Sequence, residues 1–91
     1  MSLEALTDLM RHAGRENYAI GYFESWNIES LQGVIDAAEA TRSPVILGFN
    51  GDFLTRQNRL AGERVEGYGQ LGKTAAESTA VPSGLIFNEC P

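Results

Sequence analysis

Three short, almost wholly apolar runs, Tyr18 to Phe23, Val45 to Leu47 and Gly84 to Phe87, are separated by stretches of helical periodicity. Unbroken apolar runs of this length suit strands covered on both faces, as in parallel sheets, whereas a strand with one solvated face alternates apolar and polar residues. Strands that run parallel must be joined by crossovers. The order strand, helix, strand, helix, strand therefore predicts right-handed crossovers and an α/β fold, either doubly wound or closed as a barrel.

The intervening segments carry the matching helical signals. Asn27 is placed as an N-cap, Glu29 falls in the first turn, and Ile28, Leu31, Val34 or Ile35 and Ala38 form one apolar stripe, so a helix is expected to about Thr41. Ser43-Pro44 blocks its continuation, because proline disfavours the helical conformation in the residue before it. From Arg64 to Thr79, Val65, Tyr68, Leu71 or Gly72 and Ala75 or Ala76 again keep helical spacing, and this is the expected second crossover helix. Between Asp52 and Glu63 a polar excursion is expected, with one helical turn at Phe53 and Leu54. Ahead of the first strand, Ser2 can cap a helix bearing Leu3, Leu6, Leu9 or Met10 and Ala13, with Gly14 placed to end it.

Length separates the two sheet types. A (β/α)8 TIM barrel uses about 250 residues, roughly 31 per unit, so three units come close to the 91 residues present. The expected fold is therefore the first three β/α units of an incomplete eight-stranded barrel, preceded by an N-terminal helix, with residues 1–91 forming a single partial domain. A three-stranded parallel sheet leaves open edges and apolar surface, which invites pairing with another chain, so a homo-oligomer is expected.

Composition excludes several classes of partner. The net charge of −5 comes with interleaved Arg and Lys and no basic stripe, which argues against nucleic-acid binding. No apolar run approaches the roughly 20 residues of a membrane span, and Glu4 and Asp8 interrupt the apolar residues that a secretory signal requires. With a single cysteine, Cys90, there is no internal disulfide. A cytoplasmic location is the resulting expectation.

In parallel α/β folds ligands bind beyond the carboxyl ends of the strands. Direction alone nominates Glu24 to Asn27, Gly48 to Asp52 and Asn88 to Cys90, where apolar sequence gives way to Glu24 and Asn27, Asn50 and Asp52, and Asn88 and Glu89. Taken singly, Asn27 also reads as a helix cap and Asn50-Gly51-Asp52 as a turn. Asn88 and Glu89 directly follow a buried strand and have no capping role. A literal phosphate-loop match, Gly67 to Thr74, lacks the buried strand that must precede it and the full helix that must follow, so a glycine-tolerant surface helix with Lys73 exposed is expected instead. His12 lies among Arg11 and Arg15 on the first helix and reads as solvated, and Cys90 reads as a small core residue.

The runs Tyr18 to Phe23, Asn27 to Glu39 (NIESLQGVIDAAE) and Ser43 to Leu47 resemble the start of class II fructose- and tagatose-bisphosphate aldolases, which begin with a similar YAVGAFN…NLETLQAIVEAAEE…SPVIL pattern. Val81 to Phe87 resembles their Val-Pro-initiated third strand, while residues 52–80 match poorly. The resemblance implies an eight-stranded barrel in which a divalent metal, usually zinc, polarises a ketose carbonyl during reversible aldol cleavage of sugar phosphates. In the family the third strand ends in Asp-His, the aspartate acting in proton transfer and the histidine binding metal. This chain carries Asn88 and Glu89 there. Glutamate can ligate a divalent ion through oxygen, but a neutral amide cannot exchange a proton.

The resemblance thus implies one wall of an aldolase-like site, with Asn88 at the catalytic position, Glu89 as metal ligand, and Asn27 and Asn50 as substrate contacts. The substrate would be a sugar phosphate bound by the longer parent. The metal, zinc by resemblance, would belong to that intact enzyme, with none held by this chain alone. The alternatives are a non-catalytic sugar-phosphate-binding protein and a self-assembling interaction module.

Overall fold

The computed structural model describes residues 2–58 and 64–88. Its elements run α1 (Leu6–Glu16), β1 (Gly21–Ser25), α2 (Ile28–Thr41), β2 (Val45–Asn50), α3 (Gly51–Thr55), α4 (Val65–Ser78) and β3 (Ser83–Asn88). The three strands form one parallel sheet in the order β1-β2-β3, with Gly21 opposite Val45 and Val45 opposite Ser83. The expected α/β alternation is present.

Strand alternation divides the sheet into two faces. Val45, Leu47 and Phe49 point to one of them, where they are buried with Leu31, Ile35 and Ala38 of α2, Leu54 of α3 and Ala76 of α4. Both crossover helices thus cover the same face. Leu47 and Phe49 are fully buried, and burying side chains of this size contributes about 2–3 kcal/mol each. Phe49 also meets the ring of Tyr68 edge-on at 4.9 Å and that of Phe87 at 5.8 Å.

The opposite face carries Tyr22 and Glu24 from β1, Ile46, Gly48 and Asn50 from β2, and Gly84, Ile86 and Asn88 from β3. At the start of the strands α1 covers it: a Cβ at Gly84 would lie 3.0 Å from a methyl of Leu9 and 3.5 Å from one of Leu6. Farther along, a Cβ at Gly48 would stand 2.3 Å from the Ile86 carbonyl oxygen and 2.8 Å from the Tyr22 ring. Only glycine fits there.

Several boundaries differ from expectation. Ser2 does not cap α1. Its carbonyl accepts the Ser83 N–H at 2.8 Å and the Glu4 N–H donates to the Ser83 carbonyl at 2.8 Å, so residues 2–4 run beside the start of β3, with Leu3 bridging Ser83. The hydroxyls of Ser2 and Ser83 both donate to the Ala76 carbonyl, tying this segment to α4. Helix α1 passes through Gly14 and stops at Asn17, which adopts the left-handed conformation that asparagine tolerates. Strand β1 begins three residues later than expected, because Tyr18 is held at the end of α1 by its N–H to the Ala13 carbonyl and by its hydroxyl to His12 Nδ1, 2.7 Å away. The expected turn at Phe53 and Leu54 is α3. Residues 59–63 of the polar excursion, with Glu89 and Cys90, lie outside the described residues.

Two glycine substitutions should separate the sheet's constraint from simple helix propensity. Gly48→Ala should lower stability by about 1–3 kcal/mol through overpacking against backbone. Gly33→Ala, in α2 with nothing within 4 Å of the new Cβ, should raise it by about 0.5–1 kcal/mol. Urea unfolding followed by circular dichroism measures both, and a neutral Gly48→Ala would contradict the packing described.

Candidate functional site

The face opposite the crossover helices is apolar near α1 and polar at the carboxyl ends of the strands. Glu24 and Tyr22 are two residues apart on β1 and therefore share that face. The Tyr22 hydroxyl donates to Glu24 Oε1 at 3.0 Å, and the Asn50 side-chain amide donates to Glu24 Oε2 at 3.4 Å. Asn50 is itself fixed, since its Oδ1 accepts the Phe53 N–H at 2.8 Å as the N-cap of α3. Asn88 stands directly opposite Asn50 in the parallel register. Between Glu24 and Ile86 lies Gly48, whose missing side chain leaves the carboxylate room to reach across to β2.

Glu24 is half-buried and each of its oxygens accepts from a neutral donor. Among the described residues no Lys, Arg or His stands within ion-pair distance of it: the ion pairs there are Asp8 with Arg11 at 3.9 Å and Asp52 with Arg56 at 3.1 Å. Asp52 lies in the first turn of α3, turned away to Arg56. The strand ends thus offer one carboxylate, oriented from two sides, beside two amides. Such a set can accept hydrogen bonds from hydroxyl groups and donate to carbonyl or hydroxyl oxygens.

The expected site residues divide into groups. Asn50 and Asn88 come together on this face. Asn27 sits in the turn after β1 and closes a capping box: its Oδ1 accepts the Ser30 N–H at 2.8 Å, and its own N–H donates to Ser30 Oγ at 3.2 Å. It also lines a groove of 500 Å³ with Ile28, Arg64, Tyr68 and Leu71, between α2 and α4. Glu89 falls outside the described residues. The sequence alone places Glu24 among the polar strand ends without an individual role, and Tyr22 only within the first strand. The usable signal was their spacing of two, which puts both on one strand face.

Gly67 to Thr74 lies wholly inside α4, with Gly72 buried against Leu85 and Phe49 and Lys73 exposed. It forms no loop after a strand. Among the described residues no helix is long and apolar enough to cross a membrane. No group of three or more His, Cys, Asp or Glu side chains among them is placed to hold a metal ion.

Comparison with known proteins adds a family. The model of fructose-bisphosphate aldolase class-II matches residues 4–85. The fructose-bisphosphate aldolase of Geobacillus stearothermophilus is 38% identical over 97 aligned positions, covering 99% of this chain and 32% of that enzyme. The uncharacterized protein YdjI of Escherichia coli (strain K12) is 52% identical over 42 residues, 46% of this chain and 15% of its own. The sulfofructosephosphate aldolase of Alkalicoccus urumqiensis is 36% identical over 39 residues, 43% of this chain and 14% of its own. The chain thus spans a third or less of the length of these relatives. No solved structure matches it significantly.

The capping box gives a prediction of its own. Asn27→Ala should lower stability in urea unfolding by about 1 kcal/mol, and Asn27→Ser should recover most of that loss. A neutral Asn27→Ala would mean that α2 does not depend on this cap.

Proposed function

Because the chain belongs to the class-II fructose-bisphosphate aldolase family, we propose that it forms the first wall of an aldolase-like site that cleaves a sugar phosphate between two carbons. The observation that carries this reading is the convergence of Glu24, Asn50 and Asn88 at the carboxyl ends of three parallel strands. Asn50 and Asn88 would donate hydrogen bonds to substrate oxygens, while Asn27 is taken up by the capping box of α2. Asn88 occupies the position at which the family pattern has a proton-transferring aspartate, and its amide can bind but cannot accept a proton.

We further propose that the sheet is part of an eight-stranded barrel. Its support is the sequential strand order, both crossover helices on one face, and a second face closed at one end by α1 and polar at the other. Family members are generally metal-dependent. The described residues do not assemble a metal-binding set, and the expected oxygen ligand, Glu89, lies outside them.

The second reading is a non-catalytic, self-associating sugar-phosphate binder. It is favoured by the amide at Asn88 and by the outer edge of β1. There a groove of 620 Å³, lined by small residues such as Gly21, Gly33 and Ala37, runs beside Phe23, which is 55% exposed. That edge would suit a strand and helix from another copy.

Titration calorimetry with fructose 1,6-bisphosphate, paired with an assay for aldehyde release, distinguishes the readings when this chain replaces the matching third of the Geobacillus stearothermophilus aldolase, so that the remaining walls of the site are present. Binding with cleavage is the expected result, and Asn50→Ala should weaken binding roughly three- to tenfold through loss of a hydrogen bond. Binding without cleavage would favour the second reading. Absence of binding would contradict both.

A further inference from the structure

Breaking a carbon–carbon bond next to a hydroxyl requires a group that takes the hydroxyl proton as the bond opens, and amides do not serve as that base. At the polar strand ends two of the three convergent side chains, Asn50 and Asn88, are amides. The third is a carboxylate. Glu24 is half-buried, stands on the same face as both, and is not consumed by an ion pair with any described residue. It is oriented as a general base is oriented, by a second group that fixes its direction: the Tyr22 hydroxyl at 3.0 Å on one oxygen and the Asn50 amide at 3.4 Å on the other. Asp52, the carboxylate nearest in sequence to Asn50, is turned to Arg56.

We propose that Glu24 is the proton-transferring catalytic residue of this site, with Tyr22 and Asn50 as the residues that position it. This rests on the aldol-cleavage reading above. The ionised carboxylate takes the proton from the hydroxyl on one side of the scissile bond. The O–H electron pair becomes the second bond of the new carbonyl, and the carbon–carbon pair remains on the other fragment as an enolate. The carboxyl group then returns its proton to the enolate carbon, which leaves an aldehyde, a ketone and an unchanged Glu24. No electrons enter or leave. The neutral hydroxyl-bearing middle of the sugar phosphate lies against Glu24, and its phosphate ends are kept away by like charge.

The test uses the chain in place of the matching third of the Geobacillus stearothermophilus aldolase, unaltered and as its Glu24→Gln variant, which keeps an oxygen to accept from Tyr22, with fructose 1,6-bisphosphate as substrate. Glu24→Gln should lower kcat about 100-fold or more while KM and the melting temperature stay close to those of the unaltered chain. Glu24→Asp should keep part of the activity. A kcat within twofold of the unaltered chain would overturn the role of Glu24 alone. A raised KM at unchanged kcat would make Glu24 a binding residue and likewise overturn it. No turnover by the unaltered chain would contradict the aldol-cleavage reading, and the role of Glu24 with it.

Discussion

A parallel strand cannot return through a tight turn, so β1 and β2 each lead into helix that packs back onto the sheet before the next strand, and that packing decides which alternate residues are buried. Val45, Leu47 and Phe49 receive α2, α3 and α4 on one face. Every other residue of the strands is thereby committed to the second face. β2 and β3 approach closely at Gly48, where a methyl group would strike the Ile86 carbonyl oxygen and the ring of Tyr22. The same absence of a side chain leaves Glu24 room beside Gly48 to reach Asn50 on the neighbouring strand.

The polarity of the second face changes along the strands for reasons of burial. Near their beginnings α1 covers Gly84 with Leu9, which is almost completely buried, and polar side chains there would lose water without replacement. Toward their ends no described helix covers the face, and polar groups can stay half-exposed while bonding to one another. Asn50 serves both fold and site, since one end of its amide caps α3 and the other holds Glu24. Such double use links the placement of the short helix to the direction of the carboxylate.

Much of this was legible before any coordinates. The second strand's apolar run, the Asn27 cap and the stop at Ser43-Pro44 are local signals, and α2 and the start of β2 follow them closely. The N-terminal segment was misread because the pairing of residues 2–4 with Ser83 joins ends of the chain some eighty positions apart, and no local periodicity encodes such a pairing. The start of β1 was misplaced because an apolar run does not reveal that its first aromatic, Tyr18, bonds backward to His12 and Ala13. The boundary matters to the site as well: direction nominates Glu24 among the polar strand ends, but with the strand ended at Phe23 it falls in a loop, and its shared face with Tyr22 is not evident. Asn50 and Asn88 were identifiable from direction alone, but that they stand opposite one another depends on the register.

The central claim is that residues from three strand ends form one site for a sugar phosphate. Amide chemical shifts of the isotope-labelled chain, followed while fructose 1,6-bisphosphate is added, test it most directly. Saturable changes are expected at Glu24, Gly48 to Gly51 and Ile86 to Asn88, with the α1 face unchanged. Changes confined to α1, or no saturable change at any strand end, would contradict it.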